Sequence, residues 1–255
     1  MKIVRRLVAA LLVLVCAVGV GVAVWVFQDW DTTKYMDEQT PGEFAPAPAV
    51  AIDVPGQTSD QLMAWSQRWA PQLGFSARAL RAYGNAEQTL KQTMPACHLR
   101  WTTLAGIAFI ESQHGTYGGA EVFSDGTTSQ KIRGVQLDGT NNTQRIQDTD
   151  RGVWDGNSHY DVAMGPFQFI PETWRLFGVD ANGDGRVSPD NIDDAAVAAG
   201  RYLCFNRRDL AVPREWQQAI LSYNRSMKYV KAVYRAAYAY GEGWQPRWNY
   251  LAKQF

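Results

Sequence analysis

Residues 101–119 read WTTLAGIAFIESQHGTYGG, an uncharged apolar run that ends on Glu111 and breaks at His114 and Gly115. Leu104, Ile107, Ala108 and Glu111 fall at i, i+3, i+4 and i+7, so the carboxyl continues the apolar stripe of a helix over Trp101–Ser112. Burial there raises the pKa of a carboxyl group, and the negative end of the helix dipole pushes the same way. A carboxyl kept protonated near neutrality is what a general acid needs. The competing reading of this one position is a Glu that turns to solvent at a frayed helix end.

Helical signals continue on both sides. Thr58 with Gln61 has the spacing of a capping box, and Leu62, Trp65, Trp69 and Leu73 recur at helical intervals. A second helix starts at Ser76 and stops before Pro95, and later ones are expected over Pro171–Phe177, Ile192–Phe205, Pro213–Tyr223 and Met227–Tyr240. The stretch Gly118–Asp161 is rich in Gly, Asp, Asn and Thr, too long for a plain connector and too polar for core. It reads as a functional surface or a short β-hairpin region within a mainly α, α+β fold.

The 255 residues carry 25 Lys+Arg and 25 Asp+Glu, which leaves no basic field to hold a nucleic-acid backbone. Lys2, Arg5 and Arg6 precede an uncharged apolar stretch from Leu7 to Phe27, long enough to span a bilayer. Basic residues before it and Asp29, Asp31, Asp37 and Glu38 after it predict an N-terminus in the cytoplasm and a body outside. The length of the span favours an uncleaved anchor, residues 1–28, over a cleaved signal peptide or lipidation at Cys16. The expected product is a single-pass protein of the cytoplasmic membrane whose body lies in the cell envelope. Residues 29–57 include PGEFAPAPAVAIDVPG at 41–56 and read as an extended, semi-rigid spacer ahead of a body at 58–255. In an exported body, Cys97 and Cys204 favour a disulfide over two free thiols.

Four segments in order, GIAFIESQHGTYGG (106–119), AMGPFQFIPETW (163–174), DANGDGRVSPDNIDDAAVAAGRYLC (180–204) and AILSYNRSMKYV (219–230), resemble the lytic murein transglycosylases of the membrane-bound B type. The likeness is greatest to actinobacterial members and runs from about Leu62 to Tyr240. It implies a lysozyme-like domain that cleaves the β-1,4 bond between N-acetylmuramic acid and N-acetylglucosamine in peptidoglycan. It assigns Glu111 as the catalytic acid, which protonates the glycosidic oxygen and then deprotonates the muramic C6 hydroxyl as that oxygen closes a 1,6-anhydro ring. Gln168 matches a sugar-binding Gln, and Met164 and Phe167 would line the cleft or else pack in the core. Tyr223 and Asn224 match a Tyr-Asn pair that contacts the acid or the acetamido group. Ser112 is placed to bond substrate or the helix end.

Asp180, Asn182, Asp184, Gly185 and Arg186 follow the first seven positions of an EF-hand loop, but position 12 is Asn191 rather than Glu. The transglycosylases carry a longer loop closed by an acid at the start of the next helix. That points to Asp194, with Asp190 and Asp193 as alternatives, around a structural Ca2+. Without a metal the same residues form an Asx-bonded turn. Two rival functions share these motifs: a hydrolytic muramidase, and a non-catalytic peptidoglycan-binding scaffold. Candidate protein partners are cell-wall synthesis or division proteins.

Overall fold

The computed structural model describes residues 33–140 and 143–247. The chain divides into two units, Met1–Gln39 and Thr40–Phe255. In the first, residues 33–38 are helical. The expected membrane span lies outside the described residues, and no helix among the described residues is long and apolar enough to cross a membrane.

The second unit is mainly helical. α1 (Met63–Leu73), α2 (Ala77–Thr93) and α3 (Trp101–Ser112) precede a small β lobe, in which β1 (Arg133–Gln136) pairs antiparallel with β2 (Val162–Met164). α4 (Pro171–Phe177), α5 (Ile192–Leu203), α6 (Pro213–Tyr223) and α7 (Met227–Gly241) follow. β1 falls inside the polar stretch Gly118–Asp161 where a hairpin was expected, and β2 begins immediately after it.

α3 is the core helix. All residues from Trp101 to Phe109 are buried, so the expected stripe is one side of a helix that is apolar all round. α2 and α7 pack against it, and α2 also packs on α5. The approach of α7 depends on Gly106, where an added Cβ would stand 2.9 Å from the Val233 carbonyl oxygen and 3.0 Å from Ala237. At the start of α3 no side chain of the preceding residue caps the helix. Instead Glu87 of α2 accepts the Trp101 N–H at 2.7 Å. Burial, and then the neighbouring Glu43 carboxyl, push Glu87 up to about 8.

Cys97 and Cys204 form the expected disulfide, Cα atoms 5.5 Å apart, and tie the turn before α3 to the end of α5. Closing a loop over a sequence separation of 107 residues stabilises the fold by about 4–5 kcal/mol in the chain-entropy model.

Three local expectations differ from the structure. The helix expected over Ile192–Phe205 ends at Leu203, and Phe205 opens a separate 3-10 turn. Thr58–Leu62 is a 3-10 turn with no side-chain cap, and α1 begins at Met63. The amide of Gln61 reaches the backbone of Ala51 instead, bonding its N–H and its C=O at 3.0 Å each. The Pro/Ala-rich stretch from Thr40 belongs to the second unit and does not stand off as a spacer. Ala45, Ala47 and Val50 are buried in it. Extended Pro-rich backbone makes no internal hydrogen bonds, so its carbonyls are free to accept from side chains. Arg100 donates to Pro41 O, Thr102 to Gly42 O, Trp101 Nε1 to Ala45 O, Gln88 to Ala47 O and Gln92 to Val50 O, at 2.8 to 3.1 Å.

Gly106→Ala should lower stability by about 1–3 kcal/mol, the usual cost of overpacking a tight core contact. The reading is a lower denaturant midpoint at unchanged slope. An unchanged midpoint would mean that α7 does not cross α3 at this position.

Candidate active site

Glu111 sits in the last turn of α3, which ends in two consecutive left-handed residues, Gln113 (φ 52) and His114 (φ 62). The His114 N–H reaches back to Ala108 O at 2.9 Å and the Gln113 N–H to Phe109 O at 3.1 Å, closing the helix with bonds to two of its last carbonyls. What holds His114 in that conformation is its side chain. The buried imidazole bonds Tyr83 Oη through Nδ1 at 3.1 Å and Tyr240 Oη through Nε2 at 2.8 Å, and stacks on Phe75 at 4.0 Å. Burial lowers its pKa to about 3, so the ring is neutral.

Glu111 stays partly exposed, as an acid that meets substrate must. The surrounding protein removes most of its water, and this burial pushes the carboxyl up to about 7. Tyr229, in the first turn of α7, donates its hydroxyl to Glu111 Oε1 at 2.5 Å and offsets part of that rise. With Oε1 accepting, Oε2 is left to carry the acidic proton.

The segment Met164–Phe169 turns back on itself beside this acid. Met164 and Phe169 exchange N–H···O=C bonds at 2.9 and 3.0 Å, and Gly165 (φ 70) and Gln168 (φ 49) are left-handed between them. Gly165 has no substitute, because an added Cβ would fall 1.8 Å from the Pro189 carbonyl oxygen. Ser112 donates to Pro166 O at 2.6 Å and accepts the Gly115 N–H at 2.8 Å, so its hydroxyl joins the turn to the end of α3. Tyr223, the last residue of α6, donates to Phe167 O at 2.7 Å. Gln168 Nε2 donates to Gly165 O at 2.8 Å, and its Oε1 faces Gly134 of β1.

Glu111, Ser112, Met164, Gln168 and Tyr223 are thus gathered around one turn. Met164 and Phe167 are fully buried, Phe167 edge-on to Tyr83, and form the packed base of that turn. Asn224 ends α6 in an extended conformation (φ −144, ψ 123) and is exposed at the margin. The hydroxyl bonded to Glu111 belongs to Tyr229, six residues beyond Tyr223. Nothing in its spacing marks it, since only packing of α7 against α3 brings it there. The two phenol rings lie parallel, centroids 6.5 Å apart.

The Asp residues of the β lobe are held by their own loop. Asp138 accepts from Thr140, Asp148 from the Asp150 and Gly152 N–H groups, and Asp150 from Gly152 and Trp154. Asp155 accepts from Asn157 and Val162, and Asp161 from the Thr149 N–H and hydroxyl. Asp148, Asp150 and Asp161 cluster closely enough to share an ion, but each is already bonded within the loop. No carboxylate of this lobe contributes to the shift of Glu111.

In the loop before α5, Asp180 accepts the Gly183, Asp184 and Gly185 N–H groups, Asn182 Oδ1 accepts that of Asp184, and Asp184 accepts that of Arg186. Asp194 reaches across from α5 to accept from Ala181 at 2.8 Å and Ser188 at 2.9 Å. The two alternatives are taken by arginines: Asp193 pairs with Arg78, and Asp190 with Arg133 at 2.6 and 2.9 Å.

A family model described as Transglycosylase SLT domain matches residues 76–208, just over half the chain. The chain belongs to this family. Comparison with curated proteins finds no significant match, nor does comparison with solved structures. The family makes the second unit a lysozyme-like transglycosylase domain whose substrate is peptidoglycan. The matched segment holds Glu111, the Met164–Phe169 turn and the Asp180–Asp194 loop, whereas Tyr223, Asn224 and Tyr229 lie beyond it.

Removing the Tyr229 hydroxyl takes away a bond that favours the ionised carboxyl. Tyr229→Phe should therefore raise the pKa of Glu111 and move the alkaline limb of the pH–activity profile upward, by up to about one pH unit, or about 1.4 kcal/mol. A limb that stays in place would separate Tyr229 from the acid.

Proposed function

We propose that the protein is a lytic transglycosylase of the membrane-bound B type. It cuts the MurNAc–GlcNAc β-1,4 bond with formation of 1,6-anhydroMurNAc and serves cell-wall remodelling. Its N-terminal segment holds it in the cytoplasmic membrane, with the catalytic domain outside.

The observation that carries this reading is a solitary carboxyl, raised to about 7 by burial, with one phenol as its hydrogen-bond partner among the described residues. Near neutrality such a group gives its proton to the leaving glycosidic oxygen and, once ionised, accepts one from the C6 hydroxyl that attacks C1. The proton returns to Glu111 and no water is consumed. Ordinary glycosidases need a second acid as nucleophile or as activator of water. Here the lobe carboxylates are bonded into their own turns, which favours the lyase over a hydrolytic muramidase. Retention of an acid tuned for proton transfer favours an enzyme over a binding scaffold. The Tyr223–Phe167, Ser112–Pro166 and Gln168–Gly165 bonds fix the turn against which the sugar would lie.

Purified protein incubated with peptidoglycan should release muropeptides one water lighter than hydrolysis products, read by mass spectrometry, and Glu111→Gln should release none while staying folded. Reducing-end products would support a hydrolase instead, and release at the wild-type rate by Glu111→Gln would remove Glu111 from the chemistry.

A structural Ca2+ belongs to the same proposal. Asp180, Asp184 and Asp194 bring three carboxylates to one loop, with the Asn182 amide oxygen on the Asp184 N–H and no ion pair to a cationic side chain among the described residues. Together with the Arg186 carbonyl they make a donor set of hard oxygens, the chemistry that Ca2+ selects. The ion would fix the loop that leads into α5 and take no part in proton transfer. With a dissociation constant near 1 mM, 10 mM Ca2+ should stabilise the fold by about 1.4 kcal/mol, seen as a melting temperature a few degrees higher. Chelator should reverse the rise and Asp194→Asn should abolish it; equal melting with and without Ca2+ would refute the site.

A further inference from the structure

The aromatic pair beside Glu111 is the inner end of a longer row. Tyr223 meets Tyr202 of α5 edge-on at 5.5 Å, Tyr202 meets Phe177 of α4 at 5.1 Å, and Phe177 meets Phe205 at 5.5 Å. The rings come from the starts or ends of four helices and from the 3-10 turn Phe205–Arg207. Tyr229 is buried, Tyr223, Tyr202 and Phe177 are partly exposed, and Phe205 is 53% exposed. The row therefore leads from the acid outward and keeps a solvent face along the way.

Its outer end is held firmly. Phe205 follows Cys204, which is fully buried and fixed by the disulfide. It precedes two consecutive left-handed residues, Asn206 (φ 64) and Arg207 (φ 58), neither of them glycine. Backbone of this kind costs about 1–3 kcal/mol per residue and persists where the surroundings enforce it. The side chain of Arg207 is exposed and makes no hydrogen bond or ion pair among the described residues.

We infer that Phe205 and Phe177 form a distal subsite for the glycan strand, several sugar units from the bond that is cut. This rests on the reading of Glu111 as the acid that cleaves peptidoglycan. The occupant is a chain of N-acetylated hexopyranoses, and continuity with the acid through Tyr223 and Tyr202 is what selects it. Each such sugar has an apolar C–H face that an aromatic ring covers while the hydroxyls stay in water, and Arg207 stands beside Phe205 for an acetamido oxygen or a muramyl carboxylate. Aromatic platforms of this kind tolerate variation in what stacks on them, which suits a strand with changing stem peptides. Binding remote from the reacting bond holds the strand in register at Glu111, so long strands become better substrates than short ones.

The test compares the full-length wild-type protein with Phe205→Ala and Phe177→Ala on long glycan strands from peptidoglycan and on a tetrasaccharide too short to span the row. Circular dichroism and an intact Cys97–Cys204 bond establish folding. Phe205→Ala should raise KM on long strands about tenfold with little change in kcat, and the effect should largely vanish on the tetrasaccharide. Co-sedimentation with sacculi in the Glu111→Gln background should weaken in parallel. Equal losses on long and short glycans, or unchanged KM on long strands, would overturn the distal subsite while leaving Glu111 in place. Absence of cleavage by the wild-type protein on either glycan would instead overturn the reading of Glu111, and the subsite with it.

Discussion

A carboxyl group at the end of the helix that forms the core is an expensive thing to fold around. α3 is apolar on every side, so Glu111 inherits a desolvated setting from the helix that presents it, and its pKa lies at about 7 rather than the usual 4.5. The folded state binds this proton more tightly than the unfolded chain does. The corresponding stability is fully present below about pH 4.5 and is lost as pH rises through about 7. His114, three residues beyond Glu111 and just past the helix end, works in the opposite direction. Its imidazole is held neutral down to about pH 3, so its contribution is present above about 6.5 and declines as pH falls toward 3. The end of α3 is thus favoured neither in acid nor in alkali, and the proton on Glu111 is labile in the range between.

The rest of the site exists to keep that proton in a fixed place. A turn from one part of the chain is joined to α3 by Ser112 and to α6 by Tyr223, and Gln168 closes it upon itself. Three bonds, two from sequence-distant helices and one from within the turn, converge on the carbonyls of residues 165–167, and a single substitution in any of them leaves two. α7 adds Tyr229, and its approach depends on the missing side chain at Gly106. Positioning therefore resides in helix packing, which is stiff, and less in the β lobe.

Much of this was legible in the residues. Helix boundaries followed from capping and periodicity where local forces set them: Ser76 does cap α2 by accepting the Ala79 N–H at 3.1 Å, and Gly178 follows the end of α4. The local signal at Thr58 and Gln61 was overridden because Ala51 offered Gln61 two backbone partners at once. The Pro/Ala-rich stretch was illegible for a related reason, since composition sets its extended conformation but not whether side chains elsewhere will bond its carbonyls. Glu111 stood out through position and motif. Tyr229 did not, because its role is created by the crossing of α3 and α7. Ser112 and Tyr223 were visible as polar groups near the acid, while their partners, two carbonyls of one turn, were not.

The buried and half-buried acids of this chain are treated in two ways, and the difference is informative. Asp193 is paired with Arg78, Asp190 with the fork of Arg133, and Asp161 with the N–H and hydroxyl of Thr149. Each is bonded on both oxygens, which makes the group a structural tie. Glu87 accepts an amide and a carboxamide and joins two helices. Glu111 alone of this set is given one phenol on one oxygen and left partly open to solvent. A chain that can surround its buried acids with donors has withheld them here. The physical result is a carboxyl whose second oxygen has capacity for a proton and a partner yet to arrive, which is the condition for general acid catalysis on a bound glycan.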